Sequence, residues 1–399
     1  MAHAIAIAGV IVAAAALAAS IYILVFALWG VRLGPRHSPA AASLPTFLLL
    51  IPAHNESAGI APTIQSVLAQ NYPRDRVRLV TIADNCTDDT AAVAAQCGSE
   101  VSQRTDPENR GKGQALAWAL DRADSIPFDR VLIVDADNIL APDFLREMAN
   151  AAAELPPNSA LQGRYEFSPS PQGTAGWFET FTLASKAAEN SFVYRPRSSA
   201  SLVNLIQGNG FSIPRSTLSI VPFRATSVVE DAEYAISLAI ANVPVHLVEP
   251  ARVLSRMTQN LNDAAPQRIR WASGIFQLIF GASPRLLFQG IRQRRWQLIE
   301  ASLMLLLTSR VLVVAVTLLS FVLGALSFSQ PQFRVILALA LTAVLLQAIY
   351  LVLMFRKSAT TPFSMNGLLF MPAYLAVVSF SQALALVGLR RKRWARTVR

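Results

Sequence analysis

An uncharged apolar run near the start of the chain restricts its fold more than any other feature. Ala4 to Val31 contains no charged residue, and about 20 apolar residues are enough for a helix to cross a bilayer. A cleaved signal peptide is the alternative, but the run is too long and lacks a basic segment before it. We therefore expect an uncleaved anchor. Arg32 and Arg36 follow it, so the positive-inside rule places the next part of the chain in the cytoplasm.

Further apolar stretches lie near the other end. Hydrophobic residues make up 53% of the 399 residues and charged residues only 15%, unlike an ordinary soluble protein. Leu298–Phe328, Val335–Phe355 and Leu368–Leu389 are candidate membrane segments. A crossing by the last would leave the basic tail, Arg390–Arg399, outside the cell. We therefore expect Leu368–Leu389 to be re-entrant or interfacial and the tail to be cytoplasmic.

These stretches divide the chain into four predicted parts. They are an anchor and linker (1–42), a catalytic-type domain (43–280), an interfacial amphipathic helix (281–297) and a membrane domain with a basic tail (298–399). The interfacial part combines apolar side chains with arginines and no acid before Glu300, as in a helix on an anionic membrane surface. Because the net charge of +10 comes largely from basic clusters beside apolar segments, we expect no nucleic-acid partner. Cys86 and Cys97 show no metal-ligand spacing.

The middle of the chain alternates short apolar strands with helical patterns. Predicted strands cover residues 47–51, 77–83, 100–104 and 131–134, with a helical pattern after each. This alternation predicts βαβ units, a mostly parallel sheet and an α/β fold.

Polar residues follow three of these strands. His54 and Glu56 come after the first, Asp84 ends the second, and Asp135 and Asp137 follow the fourth. Ligands of open α/β sheets bind beyond the carboxyl ends of the strands, so this edge is the predicted cleft. Two carboxylates two positions apart are tolerated best with a divalent cation between them and a phosphate. A turn that caps the next helix is the other interpretation of this pair.

Other motifs permit more than one interpretation. Lys112 lies between two glycines that form neither phosphate-loop consensus, yet a lysine at a helix start can contact a diphosphate. The glycines around Asn209 allow a ligand close to the backbone. Glu230 and Asp231 precede a helical pattern, where acids also simply stabilise a helix start. Residues 267–271 combine an amide, two guanidinium groups and an indole, which suit phosphate and sugar but also an interfacial anchor.

Together these motifs resemble glycosyltransferase family 2. They occur in the family's order: Pro52-Ala-His-Asn-Glu56, Asp84, Asp135-x-Asp137, Glu230-Asp231 and Gln267-x-x-Arg270-Trp271. They are similar to its membrane-bound Q-x-x-R-W branch, which includes cellulose, chitin and hyaluronan synthases, and the likeness covers roughly Pro45 to Ile275. His54 stands where the family usually has tyrosine, which concerns the wall of the pocket.

The resemblance implies a GT-A domain, an α/β unit with a Rossmann-like mixed sheet, facing the cytoplasm and joined to one N-terminal and two to three C-terminal transmembrane segments. It implies a UDP-sugar donor and Mg²⁺ or Mn²⁺ on Asp137, with Asp231 as the general base of an inverting transfer. The implied donor-binding residues are Pro52, Ala53, His54, Glu56, Asp84, Lys112, Asp135, Ala136 and Asp137. The implied acceptor and diphosphate residues are Gly208, Asn209, Gly210, Glu230, Gln267, Arg270 and Trp271.

The acceptor stays open between two classes of molecule. A growing polysaccharide at the cytoplasmic face is the first expectation, and a lipid of the ceramide, hopanoid or polyprenyl type is the alternative, because so few membrane segments hardly form a closed polymer pore. A homo-oligomer or an export partner would supply the rest of such a pore. We expect an integral protein of a bacterial-type inner or plasma membrane. A nucleotidyltransferase would not need residues 267–271 or the apolar helices, and a non-catalytic scaffold would not need Asp137 and Asp231.

Overall fold

The computed structural model describes residues 2–34, 36–169, 177–224, 229–256, 261–307, 309–326, 331–357 and 371–387. The strands are β1 (Phe47–Ala53), β2 (Val77–Asp84), β3 (Glu100–Arg104), β4 (Arg130–Ile133), β5 (Asn138–Leu140), β6 (Ala160–Ser168), β7 (Phe211–Pro214) and β8 (Val245–Arg256). The helices among them are α2 (Ile60–Leu68), α3 (Thr90–Gln96), α4 (Lys112–Asp121), α5 (Phe144–Glu154), α6 (Trp177–Glu189), α7 (Arg195–Ser199), α8 (Arg215–Ile220) and α9 (Glu230–Ile240). The remaining helices are α1 (Ala2–Arg32), α10 (Leu261–Gly281), α11 (Ser283–Gln293), α12 (Trp296–Leu307), α13 (Arg310–Leu326), α14 (Pro331–Lys357) and α15 (Met371–Val387).

The strands form one mixed sheet of eight, in the order β3-β2-β1-β4-β7-β6-β8-β5. The four predicted strands are all present and pair in parallel through β1–β2, β1–β4 and β2–β3. The other half is less parallel than we expected, because β7 pairs antiparallel with both β4 and β6, and β5 does so with β8. Parallel neighbours need a crossover connection, whereas β7 enters the sheet in the opposite direction after the long segment that contains α6 and α7.

Both faces of the sheet are buried, as the uninterrupted apolar run of β1 predicts. Side chains alternate between the two faces of a strand. Phe47, Leu49 and Ile51 pack with α2 and α5, whereas Leu48 and Leu50 pack with α4 and α9. Each fully buried side chain of this size contributes about 1.5–3 kcal/mol relative to an exposed one. The carboxyl end of β1 is therefore held rigidly between two layers of helices.

Two of the described helices are long and apolar enough to cross a membrane, one near each end of the chain. They are Ala6–Arg32 of α1 and Pro331–Lys357, which is α14. The predicted membrane segment Leu298–Phe328 corresponds to α12 and α13, which are bent by 67° relative to each other. A polar sequence, Ser309-Arg310, lies at this break. If the bent pair counts as one span, the described residues hold up to three.

The predicted Leu368–Leu389 segment contains α15, which is 17 residues long. Residues 368–370 and 388–389 of this segment and the basic tail lie outside the described residues. The predicted cytoplasmic side of the tail therefore stays a prediction.

The predicted interfacial segment contains a helix with one exposed apolar side. In α11 Leu286 is buried, whereas Phe288 and Ile291 are 66% and 63% exposed. Arg285 and Arg292 lie on the same helix. Apolar side chains exposed beside basic ones suit contact with an anionic membrane surface.

Two buried arginines of α7 connect the sheet domain to the helices on either side of it. Arg195 donates to Glu249 Oε2 at 2.7 Å and to the carbonyl oxygen of Leu33 at 2.9 Å, just after α1. Arg197 donates to Glu300 Oε2 of α12 at 2.9 Å and also to the Tyr22 hydroxyl of α1. We call these residues, Tyr22, Arg195, Arg197, Glu249 and Glu300, the arginine cluster.

Candidate functional site

The parallel half of the sheet brings the predicted donor residues to one edge. Because β2, β1 and β4 are parallel neighbours, Asp84, His54 and Asp135 all lie at or just after their carboxyl ends. His54 Nδ1 lies 2.7 Å from the carbonyl oxygen of Asp84. Pro52 and Ala53 are the last two residues of β1.

Glu56 and Ala136 lie near this edge but are held by α3 and α2. The Glu56 amide donates to Thr90 Oγ1 at 2.8 Å, at the start of α3. The carbonyl oxygen of Ala136 accepts a 2.8 Å bond from Thr63 Oγ1 of α2. Ala136 is buried in the core, so its side chain spaces the two carboxylates and anchors the segment.

Asp84 is held by a buried arginine that the sequence analysis missed. Its Oδ1 accepts hydrogen bonds from Arg104 Nη1 at 2.6 Å and from Asn85 Nδ2 at 2.9 Å. Arg104 also binds Asp106 at 2.8 Å. The register of β2 and β3 pairs Asp84 directly with Arg104. An arginine at the end of a predicted neighbouring strand was the available signal.

Lys112 contacts both the residues after β4 and the start of α9. At the start of α4, its Nζ lies 2.5 Å from Asp135 Oδ1 and 3.9 Å from Glu230 Oε1. It also donates to the carbonyl oxygen of Gly208. Burial lowers the pKa of Lys112, but the charges of Asp135 and Glu230 outweigh it and raise the pKa, so the ammonium group stays charged.

The Gly208–Gly210 segment lies against two of the predicted carboxylates. Gly208 has a φ of +77°, and a Cβ there would lie 2.8 Å from Asp231 Oδ2, so a larger residue does not fit. Asn209 is buried, and its Oδ1 accepts a 3.1 Å bond from the Asp135 amide. The Gly210 amide donates to the carbonyl oxygen of Ile133 at the end of β4.

Glu230 and Asp231 form the first turn of α9. Burial raises the pKa of Glu230 to about 7, although the charge of Lys112 lowers it in part. Burial likewise raises the pKa of Asp231, against the charge of Lys112. A carboxylate with a raised pKa beside a ligand cleft is a better proton acceptor near neutral pH than an exposed one.

Helix α10 brings Arg270 to the same place. The charges of Glu230 and Asp135 both act on its guanidinium group. Burial lowers the pKa of Arg270 and these charges oppose the change, so the arginine remains a cation. A Cβ at Gly274 would lie 2.2 Å from Val229 Cγ1, which shows how closely α10 packs on the start of α9. The side chains of Gln267 and Trp271, in the same helix, lie outside the described residues.

The two carboxylates after β4 fit a divalent cation held together with a diphosphate. Asp137 Oδ1 accepts a 2.7 Å bond from Asn138 Nδ2, and Asp135 Oδ1 contacts Lys112. The described residues contain no group of three or more His, Cys, Asp or Glu side chains placed around one point. Mg²⁺ is usually held by only one or two carboxylates plus substrate phosphates, so the donor set at Asp135 and Asp137 suits that mode of binding.

The site contains two further polar residues that the sequence analysis missed. Gln162 of β6 and Lys186 of α6 are hydrogen-bonded to the residues 207–209. Both lie far from the motifs in sequence and have no spacing pattern. Only the pairing of β6 with β7 and the packing of α6 bring them close.

Comparison with known proteins agrees with this geometry. Residues 45–274 match the family described as Glycosyltransferase like family 2. The β-monoglucosyldiacylglycerol synthase of Synechocystis sp. is 26% identical over 239 residues, which cover 58% of this chain and 48% of that protein. The hyaluronan synthase of Streptococcus pyogenes is 33% identical over 106 residues, 25% of each chain. The chain thus spans between a quarter and about half of these relatives.

Among solved structures, the mannosyltransferase PcManGT from Pyrobaculum calidifontis, in complex with GDP-Man and Mn²⁺, aligns with a TM-score of 0.60 at 19% identity. The alignment covers 96% of this chain and 99% of that chain. It confirms the expected GT-A-like fold with a mixed sheet. The family match covers more than half of the chain and contains all the predicted motifs. The chain therefore belongs to glycosyltransferase family 2.

Proposed function

We propose that the protein is a membrane-bound glycosyltransferase of the Q-x-x-R-W branch that moves a sugar from a UDP-sugar to a growing polysaccharide at the cytoplasmic face. One observation carries the proposal. Lys112, paired with Asp135, lies beside Glu230 at the carboxyl edge of the parallel strands, and Asp231 faces the same segment at Gly208. Cations for a diphosphate and a carboxylate for an acceptor hydroxyl are therefore only a few ångströms apart.

On the donor side, the chain supplies positive charge for the diphosphate. Lys112 and Arg270 remain charged in a largely buried setting, where they stabilise negative charge more than they would in water. Asp137 would hold Mg²⁺ or Mn²⁺, and a bound cation supplies further charge for the leaving diphosphate. Asp84, Glu56 and Pro52–His54 surround the nucleoside in this proposal.

On the acceptor side, Asp231 is the general base. It takes the proton of the acceptor hydroxyl as that oxygen attacks the anomeric carbon, and the nucleoside diphosphate leaves from the opposite side. One such displacement inverts the anomeric centre. The raised pKa of Asp231 favours this proton transfer, and no side chain at Gly208 crowds its carboxylate. Gly208–Gly210, Gln267 and Trp271 hold the acceptor in this proposal.

The proposed setting in the membrane rests on two observations. Two described helices have the length and composition of membrane spans, and α11 exposes apolar side chains beside arginines. Arg32 after the first span puts the catalytic domain in the cytoplasm by the positive-inside rule. A homo-oligomer or an export partner would complete a path for a polymer.

A lipid acceptor is the second candidate, and one observation favours it. The relative aligned over 58% of this chain is named for a glycolipid, whereas the alignment with the hyaluronan synthase covers 25%. A lipid acceptor needs only a lateral opening toward the bilayer and no polymer pore. The two or three candidate spans are sufficient for that.

The proposal is tested with the purified full chain and a panel of UDP-sugars, with GDP-mannose as a further donor. Release of the nucleoside diphosphate is measured with Mn²⁺, with Mg²⁺ and with EDTA, for the native protein and for Asp231→Asn. A radiolabelled sugar that becomes extractable into organic solvent identifies a lipid acceptor, and a non-extractable labelled polymer identifies a synthase. Absence of release with every donor would contradict the proposal.

A further inference from the structure

Helix α6 contacts the apolar helices with one side and the candidate site with the other. Phe181 packs on Phe355 of α14, with ring centroids 5.1 Å apart, and stacks on Tyr374 of α15 at 5.0 Å. Lys186, five residues later, points instead toward residue 207. The helix is therefore a direct connection between the proposed membrane helices and the site.

Lys186 is largely buried and fully engaged. Its Nζ donates to Gln207 Oε1 at 2.5 Å and to Glu189 Oε2 at 2.8 Å. It also lies 4.5 Å from the centroid of the Tyr165 ring. Three partners fix the position of this ammonium group, and charge-assisted hydrogen bonds of this kind are stronger than neutral ones. A lysine that only increased solubility would extend into water.

The contacts of Lys186 continue as hydrogen bonds through residues 207–209 to the backbone of Asp135. The backbone amide of Gln207 donates to Gln162 Oε1 at 2.8 Å, and Gln162 Nε2 donates to the backbone carbonyl oxygen of Asn209, also at 2.8 Å. Asn209 in turn accepts a bond from the Asp135 amide at 3.1 Å. Gln162 is only 1% exposed, so water does not easily replace these bonds.

The segment held in this way determines the surroundings of the candidate base. Gly208 lies against Asp231, and its carbonyl oxygen accepts a bond from Lys112. Gly208 and Gly210 both have positive φ, so the segment has no regular secondary structure to keep it in place. Backbone bonds to Ile133 and Gly163 hold its end at Gly210, and the rest depends on side chains that bond to it from outside, among them Lys186 and Gln162.

We propose that Lys186 is a positioning residue for sugar transfer, which holds Gln207–Gly210 so that Asp231 and Asp135 keep their relative geometry. The inference rests on the proposed function, because it concerns the base of that reaction. Lys186 touches neither Asp231 nor Asp135 directly and acts through Gln207. A displacement of about 1 Å at a reacting group can lower a rate by about 100-fold. Loss of Lys186 is therefore expected to lower the turnover number and to leave donor affinity nearly unchanged.

The first test compares Lys186→Met, Lys186→Arg and the control Arg122→Met in the full chain. Arg122 also lies over an aromatic ring, 4.3 Å from the centroid of Trp118, but outside the site. We expect Lys186→Met to lower turnover by about 10- to 100-fold with donor Kd within about twofold. Lys186→Arg, which keeps the charge and the ring contact, should restore part of the turnover, and Arg122→Met should resemble the native protein.

A second measurement separates this inference from the proposed function. Hydrogen exchange of the amides at residues 207–210 is compared between the native protein and Lys186→Met. Faster exchange there supports the positioning role whatever reaction the site performs, and unchanged exchange overturns it even if turnover falls. A different result would contradict the proposed function, namely turnover of Asp231→Asn equal to that of the native protein.

A double-mutant cycle tests whether Lys186 acts through Gln207. If it does, Lys186→Met combined with Gln207→Met loses little more turnover than Lys186→Met alone, because the second change removes a partner that is already lost. Fold losses that multiply would mean that the two side chains act independently, and they would overturn the proposal. Wild-type donor binding in all three variants shows that the fold is intact.

Discussion

The candidate site holds more negative than positive side chains. Asp135, Glu230 and Asp231 surround the single ammonium group of Lys112, and Arg270 is the further cation on which their charges act. Adding a diphosphate to such a site is unfavourable without extra positive charge. This imbalance is the residue-level reason why a divalent cation suits the proposed donor complex.

Asp231→Asn tests the base directly. The amide has nearly the shape of the carboxylate but cannot accept a proton, so we expect transfer to fall by about 10²–10⁴-fold. Donor affinity should change little, because Asp231 is not a proposed ligand of the diphosphate or the metal. Asp137→Ala is the matched variant, and in it metal-dependent UDP binding should weaken. Turnover like that of the native protein in Asp231→Asn would remove Asp231 from the mechanism.

The acid pair predicts a defined pH dependence. A base acts only when deprotonated, and burial raises the pKa of both Asp231 and Glu230, the latter to about 7. Turnover should therefore begin to fall at a higher pH than it would with an exposed aspartate as the base, with a titration that belongs to the pair. Glu230→Gln removes a neighbouring negative charge, which lowers the pKa of Asp231. The acid side of the pH profile should then move to lower pH.

Glu230→Gln should also change how the stability of the protein depends on pH. Because the folded pKa of Glu230 lies above its ordinary value of 4.5, its stabilising contribution is present below pH 4.5 and is lost as the pH rises through about 7. Glu230→Gln has no such loss. We expect its thermal unfolding in detergent to occur at higher temperature than that of the native protein at pH 8, and little difference at pH 5. The reverse order would contradict the raised pKa.

At the residue scale, the motifs with fixed order were predictable and their supporting residues were not. Asp135, Lys112 and Asp231 could be chosen because strand ends and helix starts place them at one edge of a sheet. Arg104 ends a predicted strand, but its partner depends on strand register, and Lys186 has no signal at all, since its contacts depend on the packing of α6. The reactive side chains could therefore be predicted from the sequence, whereas the residues that hold them in position could not.

At the scale of elements, α7 carries a buried ion pair with α12. Arg197 is 1% exposed, and its guanidinium group lies 2.6 Å and 2.9 Å from the two carboxylate oxygens of Glu300. Removing one partner of a buried ion pair costs about 3–5 kcal/mol, because the other charge is left without compensation. The ion pair thus fixes α12 against the sheet domain.

Arg197→Met should therefore lower the thermal stability of the full chain strongly. Arg78→Met is the control, because the Arg78–Glu100 pair, at 2.8 Å, is exposed, and such pairs are worth about 0–1 kcal/mol. Arg197→Met combined with Glu300→Gln should recover part of the loss, since no unpaired charge remains. Unfolding is measured by the temperature at which the detergent-solubilised protein aggregates. Equal shifts in the two single variants would show that burial of the pair has no energetic effect.

Strands and short helices were predicted better than the apolar helices. The helical pattern predicted after the first strand corresponds to α2, and the predicted third strand, 100–104, matches β3 residue for residue. Short strands and helices can be predicted because apolar residues recur with the period of the element and turn residues mark its ends. In Leu298–Phe328 most residues are apolar and the polar ones, Glu300 among them, are scattered, so hydropathy alone does not show where a helix bends. The structure breaks the stretch between α12 and α13, beside Ser309-Arg310.

For the whole molecule, the side of the membrane on which the tail lies is the open topological prediction. We expect the tail to be cytoplasmic, since six basic residues outside the cell would break the positive-inside rule. A cysteine added after Arg399, in a chain with Cys86 and Cys97 replaced by serine, is probed in intact cells with a membrane-impermeant thiol reagent. Labelling only after the cells are opened supports the prediction. Labelling from outside would mean that Leu368–Leu389 crosses the membrane.

The arginine cluster also sets the order in which the protein can assemble. Tyr22 leaves the ribosome long before Arg197, and Glu300 follows about 100 residues after Arg197, a separation that takes several seconds or more to translate. During that interval the catalytic domain is synthesised but α7 lacks the carboxylate that neutralises it. The sheet domain therefore cannot form all of its contacts until α12, which follows it in the sequence, has been synthesised. A chain stopped before Glu300 would leave the Arg197 guanidinium group without its carboxylate partner, and we expect such a chain to be cleaved by proteases more readily than the full chain.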